Sequence, residues 1–460
     1  MDEIRILSPT AILGYGFPME SFEAGMKRKP HVIAVDAGST DPGPYYLGAG
    51  KSFTDYNSVK RDLEIMIPAG LDAKIPVIIG TAGGSGGTPH VEFCIDIIKT
   101  IAKERKLSFK LAVIQSDLDK EFIKKELKRG RVAPLEPAKP ITEDDIDETV
   151  RIVAQMGEEP FINALDGGAD VILAGRSYDP SVFAALPVKM GFDRGLALHL
   201  GKILECASIA AIPGSGSDSM FGYLRKDNFV LEALAPERKC TTFSVAAHTL
   251  YEKTNPYILP GPGGVINLHQ TEFSQVDEDK VMVKGSRFEP TDNYFVKLEG
   301  VKKTGFRTIS FAAAKDPIMI AQIDDIIESV KKRVINNFEN YGIKDFFLDF
   351  KVYGKNGVMG LFPGCEDQVA HELAIIIEAV APTQDQADTI CGFARSTMLH
   401  FGYEGRKSTA GNLAFPFSPS DSRVGEVYEF NVYHLLQVDN PVDLFPITYS
   451  KFNKGELKKE

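Results

Sequence analysis

The stretch Val77–His90, VIIGTAGGSGGTPH, restricts the fold more than any other part of the chain. Three apolar residues run into a loop with five glycines, which opens into an apolar-periodic segment, Val91–Ala102. That order reads as strand, tight loop and helix. Without Cβ atoms, Gly83, Gly84, Gly86 and Gly87 can reach positive φ and bring backbone N–H groups close to an anion at the helix N-terminus. Thr88 is placed to cap the helix, Pro89 to fill its first position and His90 to face the bound group. So short an apolar strand, with no polar alternation, suits a parallel sheet covered on both faces.

The same unit recurs through the N-terminal half. Strands are expected at Arg5–Leu13, His31–Val35, Val77–Ile79, Leu111–Ile114 and Val171–Ala174. Helices are expected at Met19–Lys29, Ser58–Leu71, Val91–Arg105, Lys120–Lys128 and Glu143–Met156, followed by helical material to about Ala211. The fold class predicted is α/β with a mostly parallel sheet. An open doubly wound sheet comes first and a (β/α) barrel is the alternative, since periodicity does not separate them. Short runs at Phe229–Leu234, Val281–Lys284, Tyr294–Lys297 and Thr308–Ala312, divided by turn residues, predict a β-rich middle region that completes the site. Beyond it come a helix at Ile323–Phe338, strands near Phe347–Tyr353 and Val358–Leu361, and a long helix from about Gln368, broken near Pro382 and resumed to about His400. These form an α+β C-terminal domain. The expected divisions are residues 1–212, 213–322 and 323–460.

At 460 residues the chain exceeds one ordinary core. Its 43% hydrophobic and 25% charged residues are those of a globular protein. No apolar run approaches the roughly 18–20 residues that cross a bilayer, and MDEIRILSPT lacks the basic and apolar regions of a signal peptide. A cytoplasmic location without a membrane partner is expected. A net charge of -11 without a basic stripe argues against nucleic acid. Cys94, Cys206, Cys240, Cys365 and Cys391 are odd in number and form no CxxC pair, which fits reduced thiols better than disulfides or structural zinc. A divalent metal held by distant residues stays open. The expected partners are a small-molecule substrate and further copies of the chain, or a larger assembly it serves as a subunit.

Both architectures place chemistry after the carboxyl ends of the strands, and each predicted end carries polar or glycine-rich sequence. Asp36 is a candidate general base or hydroxyl ligand, with Ser39 and Thr40 beside it and Asp41 following; the competing reading is an Asx-turn completed by Pro42 and Gly43. Gly50-Lys51-Ser52 is not a phosphate-binding loop, because Tyr45 stands where that motif needs glycine. Ser85 matches GxSxG, the setting of a hydrolase nucleophile, but Gly80-Thr81-Ala82-Gly83-Gly84 separates it from its strand. An anion-binding loop is preferred, with Thr81, Gly83, Gly84, Ser85, Gly86, Gly87, Thr88 and His90 as its contacts. Arg176, with Ser177, is placed to grip a carboxylate or phosphate, and Asp179 to orient it or act as base; a plain ion pair between Arg176 and Asp179 is the alternative. His248, Tyr251 and Glu252 share one face of a helix, so His248 and Glu252 could ligate a metal or form a proton-transfer pair. The rigid turn Pro260–Gly264 is suited to cover a ligand.

AAHTLYEKTNPYILPGPGG, together with GRSYDPS and TAGGSGG, resembles the acyclic terpene utilisation family, proteins of terpenoid and related carboxylate catabolism. The likeness runs through the N-terminal half to about Gly264 and continues beyond it. It implies a setting in acyl-CoA metabolism, with a lyase step on a branched hydroxyacyl-CoA and CoA entering as part of the substrate. The expected function is a catabolic enzyme of lyase or hydratase type acting on a small carboxylate or acyl-CoA thioester. In it Gly83–Thr88 hold one anionic group, Arg176 binds a second, and Asp36, Asp179 or His248, with Glu252, moves the proton. The alternatives are a hydrolase using Ser85 and a non-catalytic partner subunit that binds CoA ligands.

Overall fold

A computed structural model of the chain describes residues 2–38, 42–251, 254–360, 362, 370–407 and 409–459. The chain first forms β1 (Glu3–Ser8), α1 (Met19–Lys27), β2 (Val32–Asp36), α2 (Tyr45–Ala49), α3 (Tyr56–Ala73), β3 (Val77–Gly80), α4 (Thr88–Arg105) and β4 (Phe109–Ile114). There follow α5 (Lys120–Lys128), β5 (Val132–Pro134), α6 (Glu143–Glu148), β6 (Thr149–Ala154), α7 (Glu159–Asp166) and β7 (Val171–Ala174). Then come α8 (Asp179–Lys189), α9 (Arg194–Leu204), β8 (Met220–Arg225), β9 (Asn228–Ala233) and α10 (Thr242–Leu250).

Strands β1, β2, β3, β7 and β4 lie side by side in that order, all parallel. On the β1 side β8, β9, Lys280–Lys284 and Glu272–Asp277 continue the sheet antiparallel, and on the β4 side Ile447–Asn453 and Glu456–Lys459 do the same. Over the described residues the result is an open eleven-stranded sheet, not a closed barrel. Of the β-rich middle region, β8, β9, Lys280–Lys284 and Glu272–Asp277 thus enter the same sheet as the parallel strands, Ile258–Gly261, Gly264–Asn267 and Arg287–Pro290 form a separate three-stranded sheet, and Tyr294–Ala314 belongs to a third.

Alternation along the strands sends side chains into two cores. Ile6, Ala34, Ile78, Ile172 and Ala112 pack on one face with Phe161 of α7, Phe183 of α8 and Leu200 of α9. Leu7, Ile33, Ile79, Leu173 and Val113 pack on the other with Phe22 of α1, Leu63 of α3 and Ile97 of α4. The chain advances from β1 to β4 with its crossover helices on the second face, then returns from β4 to β7 by way of α7 on the first. Keeping one hand of crossover while reversing direction requires that change of face. Helices α4 and α8 therefore leave the adjacent ends of β3 and β7 toward opposite faces. The crevice between those ends is the position where open α/β sheets take ligands.

Two expected helices prove to be strands in part. Glu143–Met156 divides into α6 and β6, where Thr149, Val150, Ile152 and Val153 supply β-branched residues and pair antiparallel with Leu298–Lys302. Leu373–Ala381 alternates buried and half-buried positions and lies between the strand residues Phe306–Ala314 and Phe347–Tyr353. Short apolar runs carry no decisive period, so a helix and a buried strand look alike in sequence. The expected strand at Val358–Leu361 is a turn over its described residues. The chain divides into two compact units, residues 1–302 with 430–460, and residues 303–429. The second is α+β, with helices Ile323–Asn340 and Gln384–Leu399 closing a core of Val330, Val334, Ile375, Ile377 and Ile390. Cys94, Cys206, Cys240 and Cys391 are free thiols. No described helix is long and apolar enough to cross a membrane.

Gly86 and Gly130 share a φ of +71°, but a Cβ at Gly130 meets open space while one at Gly86 falls 2.1 Å from the Arg176 backbone nitrogen. Gly130→Ala should cost only the left-handed penalty of about 1–2 kcal/mol. Gly86→Ala adds a backbone clash and should cost more than about 4 kcal/mol. Thermal unfolding of the two variants side by side checks the difference.

Candidate active site

The glycine-rich loop is packed solid. Thr81, at a φ of +44°, donates its N–H to Ser177 Oγ at 3.1 Å, and their hydroxyls lie 3.0 Å apart, which joins the ends of β3 and β7. The space a Cβ would take is filled at Gly83 by His90, at Gly84 by Phe53, at Gly86 by the Arg176 backbone and at Gly87 by Arg151. Helix α4 starts one residue earlier than expected, with Gly87 as its cap and Thr88 as its first residue. The N–H and hydroxyl of Thr88 both donate to Asp117 Oδ2, at 2.6 and 2.9 Å. The positive end of the helix therefore already holds a carboxylate, one of the protein's own. His90 is buried with Nε2 against the Tyr46 carbonyl at 3.0 Å. The residues expected to cradle an anion thus hold the strand ends together instead. No hydrogen bond among the described residues links the partly buried Ser85 to a histidine.

Beside this loop lies a buried group of charges. Arg176 follows β7, and its backbone N–H is fixed by Ser116 Oγ at 2.7 Å. Its guanidinium donates twice to Glu299, from Nε at 2.8 Å and from Nη2 at 3.3 Å, while Nη1 faces Asp179 Oδ1 at 3.4 Å. Lys297 Nζ reaches Glu299 Oε1 at 2.6 Å. Burial alone would raise the Glu299 carboxyl, but Arg176 and Lys297 bring it down to about 2. Asp36 ends β2, and the space of a Cβ on Gly80 would lie 2.8 Å from Ser177 Oγ and 3.1 Å from Asp36 Oδ1, so all three are neighbours. Asp36 Oδ2 accepts from Gly38 N at 3.0 Å, and Oδ1 has no protein partner. Burial, then the nearby Asp179, pushes its pKa well above the ordinary carboxylate range, and Arg176 offsets this only in part. Asp36 is thus pushed toward its neutral form and Glu299 toward its anion.

Helices α9 and α10 complete the surroundings. Lys202, fully buried on α9, pairs with Glu205 at 2.6 Å and lies over the Tyr251 ring at 4.8 Å. His248 on α10 is buried with its ring 4.8 Å from that of Tyr251, and its Nε2 has no protein partner. Burial first, then Lys202, lowers His248 to about 4, so it is neutral at pH 7. His199 steadies α10, bonding Ser286 Oγ at 2.6 Å and Thr249 Oγ1 at 3.1 Å. Tyr178 sits between Ser177 and Asp179, its ring against Gly261 of the Pro260–Gly264 turn and its hydroxyl buried without a protein partner. Glu205 acts electrostatically on both Asp36 and Tyr178, and its partner Lys202 acts on His248. Asp36 Oδ1, the Tyr178 hydroxyl and His248 Nε2 are thus buried side-chain atoms without a protein partner, and such atoms are rare in protein interiors.

Asp36, Arg176, Ser177 and Asp179 lie together at the strand ends, while His248 packs on Tyr251 from α10. Helix α10 stops at Leu250, and Tyr251 is an extended cap, so the shared helix face ends at His248. Ser39, Thr40, Asp41 and Glu252 lie outside the described residues. Tyr178, Lys202, Glu205, Lys297 and Glu299 were not selected from sequence. Lys202 had a signal of its own, a lysine inside the otherwise apolar LALHLGKIL. Among the described residues no group of three or more His, Cys, Asp and Glu side chains is placed to hold a metal ion.

The sequence pattern of the acyclic terpene utilisation family protein AtuA matches residues 51–212 and 230–425. The chain belongs to this family. The match includes Arg176, Tyr178, Asp179, Lys202, Glu205, His248 and Glu299, and starts after Asp36. No curated protein and no solved structure matches the chain.

Glu299→Gln leaves Arg176 charged and buried beside a single weaker partner, and should cost about 3–5 kcal/mol at neutral pH. The folded carboxyl lies below its ordinary value, so its contribution is complete above pH 4.5 and fades as pH falls toward about 2. Denaturation of wild type and variant should show their difference shrinking across that window.

Proposed function

We propose that this family member is an acid–base enzyme of lyase or hydratase type, acting on a small carboxylate or acyl-CoA thioester with Asp36 and His248 as its proton-transfer groups. What supports this reading is the buried, unpartnered Asp36 Oδ1 beside Ser177 at the ends of β2, β3 and β7, together with a second buried, unpartnered group, His248 Nε2, on α10. The environments of the two proton-transfer groups suit opposite tasks. Burial and Asp179 disfavour the Asp36 anion, which suits it to giving a proton. His248 is neutral with a free ring nitrogen, so it can take one.

In the elimination direction His248 removes a proton from the carbon beside the carbonyl, and that electron pair forms the new double bond. The hydroxyl on the next carbon leaves with the proton of Asp36 as water. Hydration is the reverse, with Asp36 and His248 exchanging roles. Arg176 takes no part as an anion clamp here, because Glu299 and Asp179 occupy its fork. It holds Asp179 in place and gives the site a fixed positive centre.

Turnover of a panel of hydroxyacyl-CoA and enoyl-CoA thioesters, followed by mass spectrometry, tests the reading. Asp36→Asn and His248→Gln should each lower turnover by about 10²–10⁴-fold. Full turnover in both variants, or none by wild type across the panel, removes the assignment.

A further inference from the structure

In the unit of residues 303–429 the strand Phe347–Tyr353, FLDFKVY, lies at the end of its sheet and pairs with Leu373–Ala381. Among the described residues no strand pairs with its other edge. Side chains alternate between the two faces of a strand. Leu348, Phe350 and Val352 pack into the core closed by helices Ile323–Asn340 and Gln384–Leu399, which leaves Phe347, Asp349, Lys351 and Tyr353 on the opposite face. There Phe347 and Tyr353 are 54% and 40% exposed, and Asp349 and Lys351 are half-buried. Asp349 meets Lys351 at 3.2 Å and Lys331 at 3.4 Å, and Lys351 also meets Glu378, so both charges are held close to the strand.

A free edge offers unpaired backbone N–H and C=O groups, and edges that stay single are blunted by lysine, proline or a bulge. Here the one lysine is matched by an aspartate two residues before it. Read from either end, the strand runs two apolar residues, a charge, Phe350, the opposite charge and two apolar residues. Such a sequence is complementary to itself. In an antiparallel pair of two copies centred on Phe350, Asp349 of each stands opposite Lys351 of the other. Phe347 then stands opposite Tyr353, Leu348 opposite Val352, and Phe350 opposite its own copy. Opposite charges and facing aromatics are the pairs that stabilise a sheet. Neighbouring registers lose this match. Centring on Asp349 or on Lys351 sets like charges opposite each other, and centring between two residues sets the core face of one copy against the open face of the other. The turn that follows, in which Gly357 N–H bonds the Val352 carbonyl at 2.7 Å, closes the C-terminal end of the strand.

We propose that Phe347–Tyr353 is the contact edge between two copies of this chain, joined antiparallel about Phe350 into one continuous sheet. The contact uses the same surface on both copies, as a two-fold dimer requires. It stands independently of the acid–base reading. A single strand pair is at the small end of specific interfaces, so a Kd of about 1–100 μM is expected.

Sedimentation of the full chain over about 1–200 μM tests the proposal, and wild type should form dimers across that range. Asp349→Lys sets lysine opposite lysine in both symmetry-related pairs, and Lys351→Asp sets aspartate opposite aspartate. Each variant alone should associate at least about tenfold more weakly. An equimolar mixture of the two should regain wild-type association, because each chain supplies the charge the other lacks. Circular dichroism checks that both variants are folded. Amide hydrogen exchange needs no variant: residues 347–353 should exchange more slowly in dimeric wild type than in protein diluted to single chains, while the already paired Leu373–Ala381 should not change. A wild type that stays a single chain, single variants that associate as well as wild type, folded variants whose mixture associates no better than either alone, or exchange at 347–353 that is the same in dimer and single chain would each overturn the proposal.

Discussion

The Arg176–Glu299 pair is the interaction on which the site depends. Two opposite charges removed from water are costly to bury, and attraction offsets that cost only with good geometry. Here the guanidinium fork meets both carboxylate oxygens, Lys297 adds a second cation to Glu299, and Asp179 takes the third face of Arg176. The backbone of Arg176 is equally confined, by Ser116 Oγ and by the close approach of Gly86. With position and charge both fixed, Asp36, Ser177 and Tyr178 acquire a rigid reference. A surface arginine with one partner would give none of this, because side-chain entropy and screening would loosen it.

Topology explains why these residues meet. Reversal of the chain between β4 and β7 puts α4 and α8 on opposite faces beyond the adjacent ends of β3 and β7. Asp36 arrives from β2, the glycine loop from β3 and Arg176 to Asp179 from β7, while Glu299 comes from the strand that pairs with β6. The glycines make this convergence possible by letting backbone lie against backbone. At Gly86 and Gly175 a Cβ would come within 2.6 Å of the facing chain.

Much of this could be read from the sequence, and what could not has identifiable causes. The parallel strands were visible as short apolar runs, and the rule that chemistry follows strand ends selected Asp36, Arg176, Ser177 and Asp179. Glu299 was invisible, because its meaning lies in a partner 123 residues away. Tyr178 stood inside GRSYDPS but looked like an ordinary aromatic, since sequence does not reveal that a hydroxyl ends up without a partner. The glycine loop was recognised for its missing side chains, yet sequence does not say what fills the space, and here His90, Phe53, Arg151 and the Arg176 backbone do so. The strand Leu373–Ala381 reads as helix in the sequence because isoleucine-rich segments satisfy either period until their neighbours are known.

Two carboxyl groups near the same arginine are driven in opposite directions, and the difference lies in who owns the guanidinium. Glu299 makes direct bonds to it and, with Lys297 added, remains an anion despite full burial. Asp36 feels the same charge only through space, and burial together with Asp179 outweighs it. Environments that push titratable groups apart are how one site comes to hold both an acid and a permanent anion. With Glu299 and Asp179 occupying the fork, Asp36 is left without a direct bond to the guanidinium, and its pKa stays raised.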